Sequence, residues 1–234
     1  MSVGRLALRW AWRAALIALA AFLALQLWFL AHIAYWKFQN PGTTAFMQHE
    51  LGRLRARDPG AALRQQWVPY ERISINLKRA VIAAEDARFT EHDGVDWDAL
   101  TKAYEENLRR GRTARGGSTI SQQLAKNLFL SSERTYLRKA QEFVITAMLE
   151  FAWDKRRILE VYLNVAEWGE GTFGAEAAAH HYYGVAAGQV SAEQAARLAA
   201  FLPNPKRYGR VRTGPFLDQR TEHILRYMPV AQVP

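Results

Sequence analysis

Arg115 to Leu130 reads RGGSTISQQLAKNLFL. The glycine pair Gly116 and Gly117 gives way to Ser118 and Thr119, after which Ile120, Leu124, Leu128 and Phe129 recur at helical spacing. A flexible basic loop therefore runs into the start of an amphipathic helix, where unpaired backbone N–H groups and the helix dipole favour an anion. Lys126 adds a cation further along, and Gln122 and Gln123 add donors and acceptors that a purely structural helix does not require. The stretch suits a phosphate or diphosphate, although an ordinary helix cap after an ordinary glycine loop accounts for the same residues equally well. It is not a nucleotide-binding P-loop, because no Lys-Ser or Lys-Thr pair follows the second glycine at the required spacing.

On the N-terminal side, Ser74 or Asn76 caps a helix with Leu77, Val81, Ile82 and Ala84 on its apolar face. Glu85 follows Val81 by four residues, close to the buried stripe and to the helix C-terminus. Desolvation and the dipole both oppose its charged form there, which raises its pKa toward the range useful to a general base or acid. The segment EDARFTEHDG, Glu85 to Gly94, concentrates ionisable groups that a solvated, self-paired helix end also explains. Asp86, His92 and Asp93 lack a recognised metal-ligand spacing. A further helix from Val95 to Arg112 carries Trp97, Leu100, Tyr104 and Leu108, and Arg109, Arg110, Arg112 and Arg115 gather behind it.

On the C-terminal side, Ser131 or Ser132 caps a long helix with expected core positions Leu137, Ala140, Val144, Ala147, Met148 and Phe151. Arg134, Arg138, Lys139 and Glu142 then fall on the opposite, outward face, as ordinary i,i+4 surface pairs also do. Helices follow from Lys155 to Glu167, up to Tyr183, after the capping box at Ser191, and from Pro215 to Met228. With no run of alternating strands and no repeat, the domain reads as all-α.

The N-terminal region is of another kind. Ala14 to Ala31 contains no charged residue and only Gln26 as a polar interruption, about the length a membrane-crossing helix needs. Arg5, Arg9 and Arg13 precede it and the next basic residue is Lys37, which places the N-terminus in the cytoplasm by the positive-inside rule. A cleaved signal peptide fits less well, because the run is long and a small-residue cleavage site is poor. The expected organisation is a cytoplasmic N-terminus at 1–13, a transmembrane helix at 14–34, a stalk at 35–66, a folded domain at 67–228 and a tail at 229–234. The net charge of +9 and pI near 10.0 admit nucleic acid, an anionic membrane or an anionic substrate, and charge does not choose among them. The absence of cysteine excludes disulfides and Cys-based zinc sites.

Three blocks in this order, EDARFTEHDG (Glu85 to Gly94), GGSTISQQLAKN (Gly116 to Asn127) and RKAQEFVITAMLE continuing into KRRILEVYLN (Arg138 to Asn164), closely resemble the peptidoglycan glycosyltransferases. Weaker family-like blocks follow at AAFLPNP (Ala199 to Pro205) and RTEHILRYM (Arg220 to Met228). Since no penicillin-binding transpeptidase domain follows Pro234, the resemblance is to the monofunctional members.

The resemblance implies a lysozyme-like helical fold with a small membrane-associated jaw, and polymerisation of lipid II with release of the lipid diphosphate and inversion at the sugar. It implies that Glu85 is the catalytic base and Glu142 the second essential glutamate. It implies that Lys126, Arg134, Arg138 and Lys139 surround the donor diphosphate, and that Asp86, Phe89, His92, Gly117, Ser118, Thr119, Gln122, Gln123 and Asn127 complete the substrate site. No cofactor is required, with room for a divalent cation, Mg or Mn, at the diphosphate. The expected partners are lipid II and the growing glycan, the membrane, moenomycin as inhibitor, and division or elongation proteins. The expected location is the cytoplasmic membrane, with the domain in the periplasm. Nucleic acid is not expected. A tethered glycan hydrolase and an inactive lipid II-binding scaffold are the alternatives; a hydrolase needs an acid for a poor leaving group and no cationic cluster.

Overall fold

The computed structural model describes residues 3–111, 117–131, 133 and 135–234. Two compact units meet in the chain between Gln39 and Asn40. The first is a single helix, α1 (Val3–Trp36), of which Ala7–Trp36 is long and apolar enough to cross a membrane. Neither glycine nor proline interrupts it between Arg5 and Asn40, and Pro41-Gly42 lies just beyond its end.

The second unit contains α2 (Ala45–Arg55), β1 (Arg64–Gln65), α3 (Ile75–Glu85), α4 (Trp97–Arg110), α5 (Ile120–Phe129), α6 (Tyr136–Ala152), α7 (Lys155–Val165), β2 (Glu167–Gly169), β3 (Thr172–Phe173), α8 (Ala175–Tyr183), α9 (Ala192–Phe201), α10 (Pro205–Val211) and α11 (Pro215–Tyr227). Side-chain caps explain most of the starts: Ser74, Asp96, Thr119, Asp154, Ser191 and Asn204 each accept a hydrogen bond from the first turn of the helix that follows. Helix α9 packs against both α3 and α11, and α5 packs against α2, α6 and α7. The alanines of α9 let it come close: Ala195, Ala196, Ala199 and Ala200 are fully buried with Leu198. Asn164 ties the start of the domain to α7, accepting from Val68 N at 2.8 Å and donating to Val68 O at 2.9 Å.

The domain is mainly α, as its sequence implies, and the structure adds three particulars. The helical domain also carries a small three-stranded sheet in the order β1-β3-β2, with β1 parallel and β2 antiparallel to β3. Its strands are of two or three residues, too short for any alternation to register in the sequence.

The segment expected as a stalk joins the compact unit from Asn40 onward. Met47 and Glu50 of α2 are buried, and Glu50 accepts hydrogen bonds from Arg53 and, across the fold, from Lys206. A helix with few apolar residues is thus seated by a buried carboxylate.

Helix α6 is turned over. Its cap is Thr135, not Ser131, and Ser132 lies outside the described residues. Glu142, Ile145, Thr146 and Leu149 are buried, whereas Leu137, Ala140, Val144, Ala147 and Phe151, expected in the core, are exposed. The face bearing the carboxylates packs inward with its polar groups paired, Glu142 by Arg138 and Lys139 of α6 itself and Glu150 by Ser121 of α5; the more apolar face is left bare. Helix α4 behaves alike, with Trp97, Tyr104 and Leu108 exposed and Ala103 buried.

Candidate active site

Glu85 is the last residue of α3, held there by the packing of Val81 and Ile82 beneath it. Its side chain is 11% exposed. One oxygen accepts from Gln123 Nε2 at 2.8 Å, the other from Arg220 Nη2 at 3.2 Å, and Gln123 Oε1 in turn accepts from the buried Tyr162 hydroxyl at 2.9 Å. Burial pushes the Glu85 carboxyl up, against the pull of the Gln123 hydrogen bond, Arg220 and Lys126, with Asp86 adding to the rise. A carboxylate held between two donors, yet raised, is suited to accept a proton.

Asp86, the next residue, is buried and points the other way. Its Oδ2 accepts from the backbone N of Ile120 at 3.0 Å, at the first turn of α5, and its Oδ1 lies 2.9 Å from His92 Nε2. The segment Glu85 to Gly94 and the start of α5 are therefore one structure. Thr119 completes the join: its Oγ1 donates to Gly94 O at 2.6 Å and accepts from Gln122 N, while Gln122 Oε1 accepts from Thr119 N. Gly94, at φ +87°, cannot be replaced without conflict, since an added Cβ would lie 2.7 Å from Thr146 and 2.9 Å from Glu150. Gly117 lies against α4, where a Cβ would come within 3.1 Å of Leu100.

The cations come from α5 and α6. Glu142, buried, accepts from Arg138 Nη1 at 2.6 Å and from the Lys139 ammonium one turn earlier on its own helix. Lys139 Nζ also reaches Ser118 Oγ at 3.5 Å. Lys126 projects from α5 within electrostatic reach of Glu142, Arg138, Lys139 and Glu85, and its Nζ lies 5.9 Å from the centre of the Phe46 ring on α2. Burial pushes the Lys126 ammonium down, Glu142 and Glu85 oppose that, and Arg138 and Lys139 add to it. Among the described residues it has no hydrogen-bonded or ion-paired partner. A half-buried ammonium in that condition is ready for an anion supplied from outside.

These contacts sort the expected site residues. Glu85, Gln123, Lys126, Arg138, Lys139, Glu142 and Ser118 come together. Phe89 does not present a surface: it is fully buried, with Lys155 Nζ 4.7 Å from its ring. Asp86, Thr119, Gln122 and Asn127 are also buried; the first three are occupied in fastening the segments, and His92 sits on Asp86 as a brace. Arg134 lies outside the described residues, as do Arg112, Arg115 and Gly116 of the cationic loop. Sequence reading overlooked Arg220, on α11, which touches both Glu85 and Ala84 O. The block RTEHILRYM that begins with it was the available signal.

A helical domain that sets a raised carboxylate near cations fit for a phosphorylated leaving group defines an enzyme of group transfer. The chain belongs to the transglycosylase family: the family model described as Transglycosylase matches residues 51–229. Among its relatives, the biosynthetic peptidoglycan transglycosylase of Janthinobacterium sp. (strain Marseille) is 59% identical over 212 residues, covering 91% of this chain and 92% of the relative. The protein of the same name from Nitrosospira multiformis is 57% identical over 226 residues, 97% of this chain and 98% of the relative. That from Laribacter hongkongensis is 55% identical over 227 residues, covering 97% and 100%.

Proposed function

We propose that this chain is a peptidoglycan glycosyltransferase that polymerises lipid II into glycan strands during cell-wall synthesis. Glu85 takes the proton from the acceptor sugar's C4 hydroxyl as that oxygen attacks the donor's anomeric carbon; the new C–O bond forms as the bond to the lipid diphosphate breaks, and the configuration inverts. Lys126, with Arg138 and Lys139, receives the diphosphate. Charge grows on that group in the transition state, so cations aimed at it lower the barrier rather than merely tightening binding. Glu142 holds Arg138 and Lys139 in place. Moenomycin, which resembles the growing chain, competes for the same site.

The single observation that carries this reading is the Glu85 carboxyl, 11% exposed and held by Gln123 and Arg220, beside a Lys126 that among the described residues has no hydrogen-bonded or ion-paired partner. A hydrolase needs a second carboxyl to protonate a sugar leaving group. Two cations already engage Glu142, the second glutamate of the site. Among the described residues no group of three or more His, Asp or Glu lies together. A Mg or Mn ion would enter on the diphosphate itself.

The helix Ala7–Trp36 is the anchor, entering the cytoplasmic membrane with the arginines inside and the domain in the periplasm. Division or elongation proteins would meet it there. The decisive experiment is incubation of the detergent-solubilised chain with purified lipid II. Polymer with released lipid diphosphate is expected; sugar hydrolysed without polymer overturns the reading.

A further inference from the structure

Glu150 lies one helical stretch beyond Glu142 on α6, and no step above uses it. Its side chain is 9% exposed, and one oxygen, Oε1, accepts from Ser121 Oγ at 2.5 Å and from Lys155 Nζ at 2.8 Å. Ser121 is fully buried in the first turn of α5, and Lys155 opens α7 with its ammonium over the Phe89 ring. Gly94 leans on the same side chain, so close that a Cβ would lie 2.9 Å from Glu150 Cγ. Four segments, the 85–94 loop, α5, α6 and α7, thus converge on one carboxylate.

A buried ion pair is poor evidence for stability, because its desolvation offsets much of its attraction and an apolar residue of similar volume often packs as well. What the charge adds is direction. Ser121 follows Ile120, whose N–H is held by Asp86, and precedes by two residues Gln123, whose amide is held on Glu85. Fixing the first turn of a rigid helix fixes the rest of it, so the same anchorage aims Lys126.

We propose that Glu150 is a positioning residue for the transfer reaction: by gathering Ser121 and Lys155 on one oxygen, it sets α5 against α6 and so holds the Gln123 amide on Glu85. This rests on the function proposed above. Removing the charge lets α5 shift, the Gln123 hydrogen bond lengthens, and Glu85 loses the contact that most favours its charged form. The charged and titratable groups that face Glu85, namely Asp86, Arg220, Lys126 and Tyr162, all remain in both variants, and of these Lys126 is carried on α5 and moves with it.

The test uses the full chain in detergent, labelled with ¹³C-carboxyl glutamate, as wild type, Glu150→Gln and Ser121→Ala. Glu85→Gln identifies the Glu85 resonance. Ser121→Ala keeps the Glu150–Lys155 pair and so guards against a Glu150 variant that fails to fold. Both variants are expected to move the Glu85 titration upward by about half a pH unit. With lipid II, kcat is expected to fall by about 10-fold with KM nearly unchanged, the acid limb of the kcat profile moving with the titration. A lower melting temperature with the Glu85 titration and pH profile unmoved overturns the proposal and leaves Glu150 a support of the fold. The titration is read without substrate, so a wild type that makes no polymer counts against the proposed function alone.

Discussion

At the scale of single residues, Glu85, its side chain 11% exposed, and the buried Glu142 have opposite duties. Glu85 has one cation at 3.2 Å and an amide, and burial raises it; Glu142 is gripped by two cations. Glu85→Gln keeps the shape and the contact to Arg220 but cannot accept a proton. Polymerisation is expected to fall by at least about 10²-fold while moenomycin still binds, measured by polymer yield and by displacement of labelled inhibitor. In the wild type the raised Glu85 is protonated as pH falls, so activity is expected to disappear on the acid side at a pH above the ordinary glutamate range. Glu142→Gln is expected to lose both activity and inhibitor affinity, because Arg138 and Lys139 lose the group that aims them. Glu160 offers the contrast: it accepts from Tyr70 N at 3.2 Å and Arg157 Nη1 at 2.7 Å, far in role from the cations. Glu160→Gln is expected to lower the melting temperature first, leaving turnover per folded molecule close to normal. Lys126→Ala and Arg138→Ala are expected to weaken lipid II use and moenomycin binding more than folding; collapse of the fold with normal turnover in the surviving enzyme would refute their place at the diphosphate.

At the scale of elements, α5 and α6 decide the site, and they differ in how openly their sequences declare it. For α5 the caps, the apolar spacing and the polar residues agree with the structure: Thr119 caps it with Gln122 in a capping box, and Ile120, Leu124 and Leu128 are buried. For α6 the same reasoning chose the wrong face. Leu137, Val144 and Phe151 outnumber Ile145 and Leu149 in apolar weight, and only the partner helix reveals that Glu142 and Thr146 belong inside. Arg220 escaped for a related reason, since it reaches Glu85 from α11, 135 residues away, and no local pattern announces so distant a contact. The buried acid of β2 was equally silent. Glu167 is 6% exposed, its Oε1 has no hydrogen-bond partner, and burial pushes its carboxyl up to about 7, Lys206 opposing and Glu50 adding. The sign follows from the folded state holding its proton more tightly than the unfolded chain. The stability due to Glu167 is present below the unfolded pKa and is lost as pH rises through about 7. Glu167→Gln is expected to become more stable than wild type above that pH, by up to ~3 kcal/mol, with the difference vanishing at acid pH. Denaturant unfolding of the two proteins across the pH range checks it.

At the scale of the whole molecule, an apolar helix and a catalytic unit with apolar helix faces occur in one chain. Trp97, Tyr104, Leu108, Leu137 and Phe151 are each more than 60% exposed, more bare apolar surface than single scattered residues would account for. A chain shortened to begin at Asn40 is accordingly expected to remain detergent-dependent, sedimenting with vesicles or aggregating without them; a monodisperse, detergent-free product that ignores vesicles would contradict this. For topology, a reporter fused after Met228 should be active only if it functions outside the cytoplasm.

The bare faces of α4 and α6 also bear on how the rate is to be counted. If the catalytic unit lies on the same surface that carries its lipid-linked substrate, encounters happen in two dimensions, and the concentration that matters is the number of substrate molecules per unit of surface. Adding inert detergent at fixed amounts of enzyme and lipid II leaves the bulk concentration alone but thins the substrate across more micelles. The velocity should then fall with the mole fraction of lipid II, so two laboratories reporting the same molar substrate in different detergent would measure different enzymes.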